Sequence, residues 1–232
     1  MSQRTPGFDT LAVHAGAKPD PATGARAVPI YQTTSFVFEN ADHAANLFGL
    51  KTFGNIYTRI MNPTQAVLEE RVAALEGGTA ALATASGQSA HLLVFHTLLE
   101  SGDNFVAASK LYGGTINQFG HAFKNFGWEV RWADVNDPAS FDKKIDNRTK
   151  AIHIESLANP GGEFVDVAAI AAIARKHGLP LIVDNTLASP YLLRPFEHGA
   201  DIIVHATTKF IGGHGNSIGG IIVDGGTFDW SK

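Results

Sequence analysis

The sequence predicts an α/β fold built on a mostly parallel, seven-stranded sheet covered by helices. Three observations lead to this prediction. Short apolar segments recur along the chain, helix-like stretches lie between most of them, and 44% of the 232 residues are hydrophobic, which is ample for a core. Strands that alternate with helices are typical of a parallel sheet with both faces covered.

Residues 1–60 differ from the rest, because polar, Gly and Pro positions are scattered through them with little periodicity. We interpret them as an extended N-terminal arm that contacts a neighbouring subunit, and we expect residues 61–232 to form the α/β domain. Regular structure is predicted to begin with Asn62 as the N-cap residue of a helix, with Gln65 reaching back as in a capping box. Gly77 is expected to end that helix.

The remaining elements follow from the alternation of apolar segments and helix-like stretches. Strands are predicted over residues 80–85, 105–108, 129–133, 151–155, 181–184, 202–205 and 220–223. Helices are predicted between them, for example over residues 89–99, 115–125 and 167–177. Because a Gly-rich loop without a helix joins the last two strands, we expect the final strand to run antiparallel.

Composition excludes several classes of protein. The net charge of −4 lacks the basic footprint of a nucleic-acid binder, and the absence of Cys removes disulfides and thiolate metal sites. The longest apolar run, residues 167–174, is too short to span a membrane, and the first residues have no hydrophobic signal core, so a cytoplasmic protein is expected. His91 and His96 lie too far apart around a helix to share a metal, and we expect none.

Candidate functional residues stand directly after three predicted strands, at the edge where α/β sheets bind ligands. Residues 86–89 (SGQS) open a helix and could offer backbone N–H groups to a phosphate, or form an ordinary N-cap turn. Asp184 needs a partner after a buried strand, unless it serves as a cap or turn residue. Lys209 precedes a glycine cluster, where partial desolvation would make its amine nucleophilic; a solvated loop lysine is the alternative.

Together, a phosphate cradle, a strand-end Asp and a strand-end Lys are what pyridoxal phosphate requires. The Lys binds the cofactor covalently, the Asp keeps the pyridine nitrogen protonated, and the helix terminus binds the phosphate. This combination predicts a cofactor that none of the three features would predict alone.

Longer motifs then identify a family. They are residues 27–35 (AVPIYQTTS), 53–64 (FGNIYTRIMNPT), 194–201 (RPFEHGAD), 210–215 (FIGGHG) and 218–220 (IGG). Through nearly its whole length the chain resembles the Cys/Met-metabolism family of pyridoxal-phosphate enzymes, the trans-sulfuration group of fold type I. Within that family, these motifs are most similar to the O-acetylhomoserine sulfhydrylases.

The resemblance implies a role for each matching residue. Lys209 would form a Schiff base with pyridoxal 5′-phosphate and shuttle protons, Asp184 would pair with the pyridine nitrogen, and Tyr112 would stack on the ring and assist proton transfer. Without the resemblance, Tyr112 would be interpreted as a core aromatic residue. The other implied cofactor-binding residues are Tyr57, Arg59, Gly87, Gln88, Asn159, Thr186 and Thr208.

The resemblance also implies what each of these groups would bind. Gly87 and Gln88 would donate backbone N–H groups to the phosphate, together with the Thr208 hydroxyl, and Asn159 would hydrogen-bond the phenolic oxygen of the cofactor. Tyr57 and Arg59 would reach the phosphate of a neighbouring subunit, although composition alone would make them a surface turn. The protein is therefore expected to be a homo-oligomer, at least a dimer and by resemblance a tetramer.

The chain departs from the family pattern at two places. Ala206 stands where the family usually has Ser, so one phosphate hydroxyl is missing, and Thr207 is the candidate to replace it. The chain also ends at Lys232, shortly after Lys209. Family members continue into a C-terminal substrate domain with an arginine that binds the substrate α-carboxylate, and we expect that domain to be absent from this chain.

The activity implied by the resemblance is γ-replacement on O-acetylhomoserine. Sulfide or a thiol would displace acetate and give homocysteine or methionine. The alternatives are a cystathionine γ-synthase or methionine γ-lyase type of activity, which would use the same residues, and a catalytically incomplete fragment that assembles with partner subunits.

Overall fold

The structure is a computed structural model that describes residues 6–231. The chain separates into two compact units, residues 1–72 and residues 73–232.

The N-terminal unit contains two short helices, α1 (Phe8–His14) and α2 (Ala41–Phe48). The prediction that regular structure begins only at Asn62 was therefore wrong. Helix α2 begins where the Asn40 side chain accepts a 2.8 Å hydrogen bond from the backbone N–H of His43. Helices of only about two turns are too short to establish a clear apolar period.

Helix α3 (Pro63–Glu76) begins at the predicted residue but is capped differently. The Asn62 side chain accepts a 2.9 Å hydrogen bond from the N–H of Thr64, as an N-cap residue does. Gln65 does not reach back; its amide donates to Glu69 Oε1 at 2.8 Å, one turn further along, so the predicted capping box was wrong. Gly77, at φ 78°, follows the helix in the left-handed conformation that a helix end favours.

The second unit is built on a seven-stranded sheet in the order β1-β7-β6-β5-β4-β2-β3. Its strands are β1 (Ala80–Thr84), β2 (Asn104–Ala108), β3 (Glu129–Ala133), β4 (Thr149–Glu155), β5 (Leu181–Asp184), β6 (Ile202–His205) and β7 (Gly220–Asp224). The predicted strands and the predicted sheet are confirmed, with small differences at their ends.

Strand directions place the carboxyl ends of six strands at one edge. Strands β2 to β6 pair in parallel, whereas β7 pairs antiparallel with both β6 and β1. Because β7 is antiparallel to both of its neighbours, β1 and β6 run in the same direction. The antiparallel direction predicted for the final strand is confirmed, and the segments that follow β1, β2, β4, β5 and β6 leave the sheet on the same side.

The helices of this unit are α4 (Gly87–Leu98), α5 (Gly113–Asn117), α6 (Pro138–Asp142), α7 (Val167–His177) and α8 (Ser189–Leu192). Helix α7 has the predicted bounds, capped by Asp166 and ended by Gly178 at φ 65°. The helix predicted over residues 115–125 is continuous but irregular, since α5 passes into a π-helical turn (Gln118–Ala122) and a 3-10 turn (Phe123–Phe126).

The core surrounds the central strands. Every residue of β2, including Phe105, is buried, and Phe95 and Phe119 are fully buried beside the strand, with the Phe95 and Phe105 ring centroids 4.2 Å apart. Such complete burial is typical of central strands covered on both faces. Within residues 6–231, no helix is both long and apolar enough to cross a membrane.

Candidate active site

A pocket opens at the edge of the sheet where strands β1, β2, β4, β5 and β6 end. It collects side chains from segments that lie far apart in the sequence. Its lining includes Gly87, Gln88, Tyr112, Asn159, Asp184, Thr186, Thr208 and Lys209, all of which were singled out in the sequence, together with Ser86, His91, Thr115, Glu155, Leu157, Leu187, Ala206 and Ile218.

The two remaining residues from the predicted set lie in the N-terminal unit. Tyr57 pairs with Ser35 in an isolated antiparallel bridge, and the guanidinium carbon of Arg59 lies 5.8 Å from the centroid of the Tyr57 ring. At that distance the two side chains make a cation–π contact. Their predicted role toward a neighbouring subunit stays a prediction.

The start of helix α4 forms a cradle of backbone N–H groups. The Ser86 hydroxyl caps the helix by accepting from the N–H of Ser89 at 3.1 Å. The N–H groups of Gly87 and Gln88, in the first turn, have no intrahelical acceptor and point out of the positive end of the helix. A Cβ atom at Gly87 would lie 2.9 Å from the Cβ of Ala206, so only glycine fits against that strand end. This is the geometry of an anion site.

Asp184 is held as a carboxylate at the end of β5. Its Oδ1 atom accepts from the Thr186 hydroxyl at 2.5 Å and from the Thr186 N–H at 3.0 Å, while Oδ2 lies 3.4 Å from His91 Nε2. Burial raises the pKa of Asp184, but the hydrogen bonds with His91 and Thr186 act in the opposite direction, and the pKa is lowered to about 2. A buried carboxylate kept ionised in this way can balance a positive charge in the pocket.

Lys209 lies in the turn that follows β6. Its side chain is exposed, so the predicted partial desolvation was wrong; the strand ends at His205, and the next residues turn outward through hydrogen bonds from Lys209 N to Ala206 O and from Gly212 N to Thr207 O. Within residues 6–231 Lys209 forms no ion pair. Its amine is therefore open to a molecule in the pocket.

The two threonines before Lys209 differ in placement. The Thr208 hydroxyl lines the pocket, donating to the Gly219 carbonyl at 3.2 Å and accepting from the Gly219 N–H at 3.1 Å. The Thr207 side chain instead packs against Gly219, where a Cβ would collide with its hydroxyl. Thr207 does not line the pocket, whereas Thr208 does.

Tyr112 and Asn159 flank the pocket and are tied to a common carboxyl group. The ring of Tyr112 is about half exposed and lies over Gly114, where a Cβ would strike the ring. Glu155, at the end of β4 and 4% exposed, accepts from the Tyr112 N–H through Oε1 and from the Asn159 N–H through Oε2. Burial and the nearby charge of Asp184 raise the pKa of Glu155 to about 8, against the opposite effect of the two hydrogen bonds.

A second buried cluster joins the ends of β5 and β6. Glu76 Oε1 lies 2.6 Å from His205 Nε2 and accepts from the Asn185 amide at 2.9 Å, and all three side chains are fully buried. Asn185 follows Asp184 and His205 precedes Ala206, so this cluster fixes the spacing of the two strand ends that carry the acid and the lysine turn.

Three buried residues of this region were not predicted from the sequence to belong to the site. His91 was considered only as a metal ligand, and Glu155 and His153 were not singled out at all. A polar residue in an otherwise apolar strand, as in the segment AIHIE over residues 151–155, was the available signal, because a buried polar group needs a partner.

The donor set fits pyridoxal phosphate. Free N–H groups and the Thr208 hydroxyl suit a phosphate, an exposed aromatic ring suits stacking, and an ionised carboxylate and an open amine share the pocket. The fold and the site therefore define a pyridoxal-phosphate-dependent enzyme of fold type I.

The family follows from direct comparison. The model of the family described as "Cys/Met metabolism PLP-dependent enzyme" matches residues 9–232. The chain belongs to this family.

The relatives found agree with that membership. The chain is 57% identical to an O-acetyl-L-homoserine sulfhydrylase of Leptospira meyeri, over 97% of this chain and 51% of the relative. It is 54% identical to a homocysteine/cysteine synthase of Saccharomyces cerevisiae, over 96% of this chain and 51% of the relative. The chain thus spans about half the length of the curated relatives it matches.

Solved structures extend the likeness to the fold. An O-acetylhomoserine (thiol)-lyase from Campylobacter jejuni superposes with a TM-score of 0.94 at 43% identity, covering 97% of this chain and 55% of that one, and contains a pyridoxyl-lysine monophosphate residue. A cystathionine γ-lyase from Lactobacillus plantarum superposes with a TM-score of 0.87 at 36% identity, covering 94% and 55%.

Proposed function

We propose that this chain forms the cofactor-binding part of an enzyme that replaces the acetate of O-acetylhomoserine with sulfide or a thiol. The observation that carries the proposal is the presence of an ionised Asp184 and the open amine of Lys209 in one pocket. The choice of substrate rests on relatives at 54–57% identity whose names specify O-acetylhomoserine or homocysteine chemistry.

The pocket residues divide the binding of the cofactor among them. Pyridoxal phosphate, when bound, supplies an electron sink for chemistry at the α carbon of an amino acid. Lys209 would be the attachment residue, Asp184 would pair with the pyridine nitrogen, and Tyr112 would stack on the ring. Asn159 serves the phenolic oxygen.

The phosphate is bound by neutral donors of the second unit. The N–H groups of Gly87 and Gln88 and the hydroxyl of Thr208 are oriented by the α4 terminus and by Gly219. Thr186 acts on the cofactor through Asp184. Its hydroxyl donates a hydrogen bond to Oδ1 of Asp184 and leaves Oδ2 for other partners.

Lys209 and Tyr112 would transfer protons to and from the substrate, because both residues line the pocket. The amine of Lys209 takes the proton from the substrate α carbon and moves protons between the α and β carbons, with Tyr112 assisting. Acetate then leaves from the γ carbon, and sulfide or a thiol adds to the same carbon. The products are acetate and homocysteine, or methionine when the thiol is methanethiol.

The enzyme is further proposed to assemble as a homo-oligomer. Tyr57 and Arg59 in the N-terminal unit would supply a cation and an aromatic hydroxyl to the phosphate of a neighbouring subunit. The support for this is that the donors proposed above for the phosphate are all uncharged, whereas phosphate recognition commonly includes a charge-assisted contact.

Borohydride reduction in the presence of pyridoxal phosphate tests the proposal directly. Peptide mapping of the full chain should find the phosphopyridoxyl mass on Lys209, and Lys209→Ala should abolish it. Lys110 is the internal control, because its amine lies 2.5 Å from Glu163 in an ion pair. An adduct on Lys110, or on no lysine, contradicts the proposal.

Product analysis separates this reaction from its nearest alternative. The likeness to a cystathionine γ-lyase at 36% identity favours a related synthase or lyase activity as the second candidate. Incubation with O-acetylhomoserine should give homocysteine with sulfide; cystathionine formed from cysteine would favour the synthase. Release of ammonia and a keto acid would favour the lyase.

A further inference from the structure

Two buried histidines stand in line behind Asp184. His91 Nε2 lies 3.4 Å from Asp184 Oδ2 and 3.2 Å from His153 Nε2. The side chains are 1% exposed for His91 and 11% exposed for Asp184, and His153 is fully buried. The contact joins helix α4, strand β4 and strand β5, and it continues from the pocket wall into the core.

Core packing does not require imidazoles at these positions. The Phe119 ring contacts both histidines edge to face, with centroids 5.6 Å from His91 and 4.9 Å from His153, and Phe95 lies 6.0 Å from His153. An apolar side chain would satisfy such surroundings without the cost of burying polar nitrogens. The two imidazoles therefore need a reason beyond packing.

The positions of the protons give that reason. The Nε2 atom of His91 either carries a proton or presents a lone pair, with the proton then on Nδ1. On Nε2 it points to Asp184 and His153; on Nδ1 it leaves a lone pair facing the carboxylate. Oδ2 of Asp184 is an acceptor that lies 3.4 Å from His91 Nε2, so the first arrangement is favoured.

His153 supports the same arrangement. Burial lowers the pKa of His153 well below its ordinary value, so this imidazole is neutral and its Nε2, 3.2 Å from His91 Nε2, can offer a lone pair to His91. The Nδ1 atoms of both histidines are buried and have no hydrogen-bond partner among the described residues. The Nε2 contacts alone therefore select the tautomers of both rings.

We propose that His91 and His153 are positioning residues for the pyridine side of the cofactor. His91 donates from Nε2 to Oδ2 of Asp184 and keeps this carboxylate ionised and oriented, and His153 holds His91 in the required tautomer. Glu155 is a further titratable group near Asp184, and the charge of Asp184 raises the pKa of Glu155. The inference rests on the proposed function, in which Asp184 pairs with the pyridine nitrogen.

The tautomers can be read without cofactor or turnover. In the full chain with nitrogen-15-labelled histidine, the ring signals of His91 should be those of the Nε2–H form. His153→Phe, which preserves a ring in the same aromatic cluster, should perturb the His91 signals. Observation of His91 protonated on Nδ1 overturns the proposal.

Cofactor titration tests whether His91 affects the affinity for pyridoxal phosphate and the absorption of the bound cofactor. Loss of a hydrogen bond to a charged group should raise the apparent Kd for pyridoxal phosphate about tenfold in His91→Leu and shift the visible absorption of the bound cofactor. His91→Gln, which retains an N–H donor, should recover most of the affinity and the spectrum. His96→Leu, on the exposed side of the same helix, is the matched control and should change neither.

The outcomes distinguish the two proposals. If the wild-type chain takes up no pyridoxal phosphate, the proposed function fails and the positioning role falls with it. If the wild type binds the cofactor and His91→Leu, shown by thermal unfolding to be folded, binds it with unchanged affinity and spectrum, the positioning role alone is overturned.

Discussion

The backbone N–H of Tyr112 donates a 2.7 Å hydrogen bond to Oε1 of Glu155, a residue 43 positions further along the chain. The other oxygen of the same carboxyl group accepts from the N–H of Asn159 at 3.2 Å. One buried side chain therefore sets the positions of the two loops that flank the proposed cofactor site, after β2 and after β4. The nearby charge of Asp184 also raises the pKa of Glu155, so the stability of the folded chain should depend on pH.

Stability should depend on pH through Glu155. Its pKa is raised from the ordinary value of 4.5 to about 8, so the folded chain holds a proton that the unfolded chain has released in this window. The stabilisation from this group is complete below 4.5 and is lost as pH rises through about 8. Glu155→Gln should flatten that part of the curve of melting temperature against pH.

The matched control for this measurement is Glu100→Gln, which makes the same change on an exposed residue. Its curve should follow that of the wild type. A Glu155→Gln curve that also coincides with the wild type would show that Glu155 does not titrate in this window.

Asp184→Asn should separate binding from turnover. The amide has nearly the same shape and can still accept from Thr186, but it cannot balance a positive pyridine nitrogen. We expect a modest loss of cofactor affinity and a loss of roughly a hundredfold or more in turnover of the complete enzyme. Asp201→Asn, outside the pocket, is the control, and equal losses in affinity and turnover for Asp184→Asn would assign it a structural role.

Gly87→Ala should damage the phosphate cradle. The new methyl would lie 2.9 Å from the Cβ and 3.1 Å from the Cα of Ala206, so α4 and the end of β6 must separate. We expect overpacking to cost about 1–3 kcal/mol in the free energy of unfolding, with weaker cofactor binding. Gly113→Ala, where a Cβ meets nothing within 4 Å, should leave both quantities close to wild type. Unfolding and cofactor titrations measure both.

Arg59→Ala tests the assembly proposal. If Arg59 reaches a neighbouring subunit's phosphate, its loss should raise the apparent Kd for pyridoxal phosphate about tenfold to a hundredfold, as expected for a charge-assisted contact. Lys51→Ala removes an exposed cation from the same unit and should have little effect. Sedimentation should find the wild type to be at least a dimer; a monomer that retains cofactor normally would refute the proposal.

The sequence by itself determined the sheet and the location of the site. Apolar segments that alternate with helices predict parallel strands, and parallel strands bring their carboxyl ends to one edge of the sheet. Gly87, Asp184 and Lys209 could therefore be assigned to one pocket from the sequence alone. The antiparallel final strand followed in the same way, because the glycine-rich loop of residues 206–219 has no helix, which a parallel crossover usually contains.

Tertiary structure alone decided which buried polar groups meet. His91 and His153 are 62 residues apart, and Glu76 and His205 are 129 apart, so their contacts depend on strand register and helix packing that no local period encodes. The exposure of Lys209 was likewise set by a turn that hydrogen bonds around residues 206–213 create. Local patterns specify elements through short-range backbone preferences, whereas the protonation and orientation of site residues arise from neighbours that only the folded chain supplies.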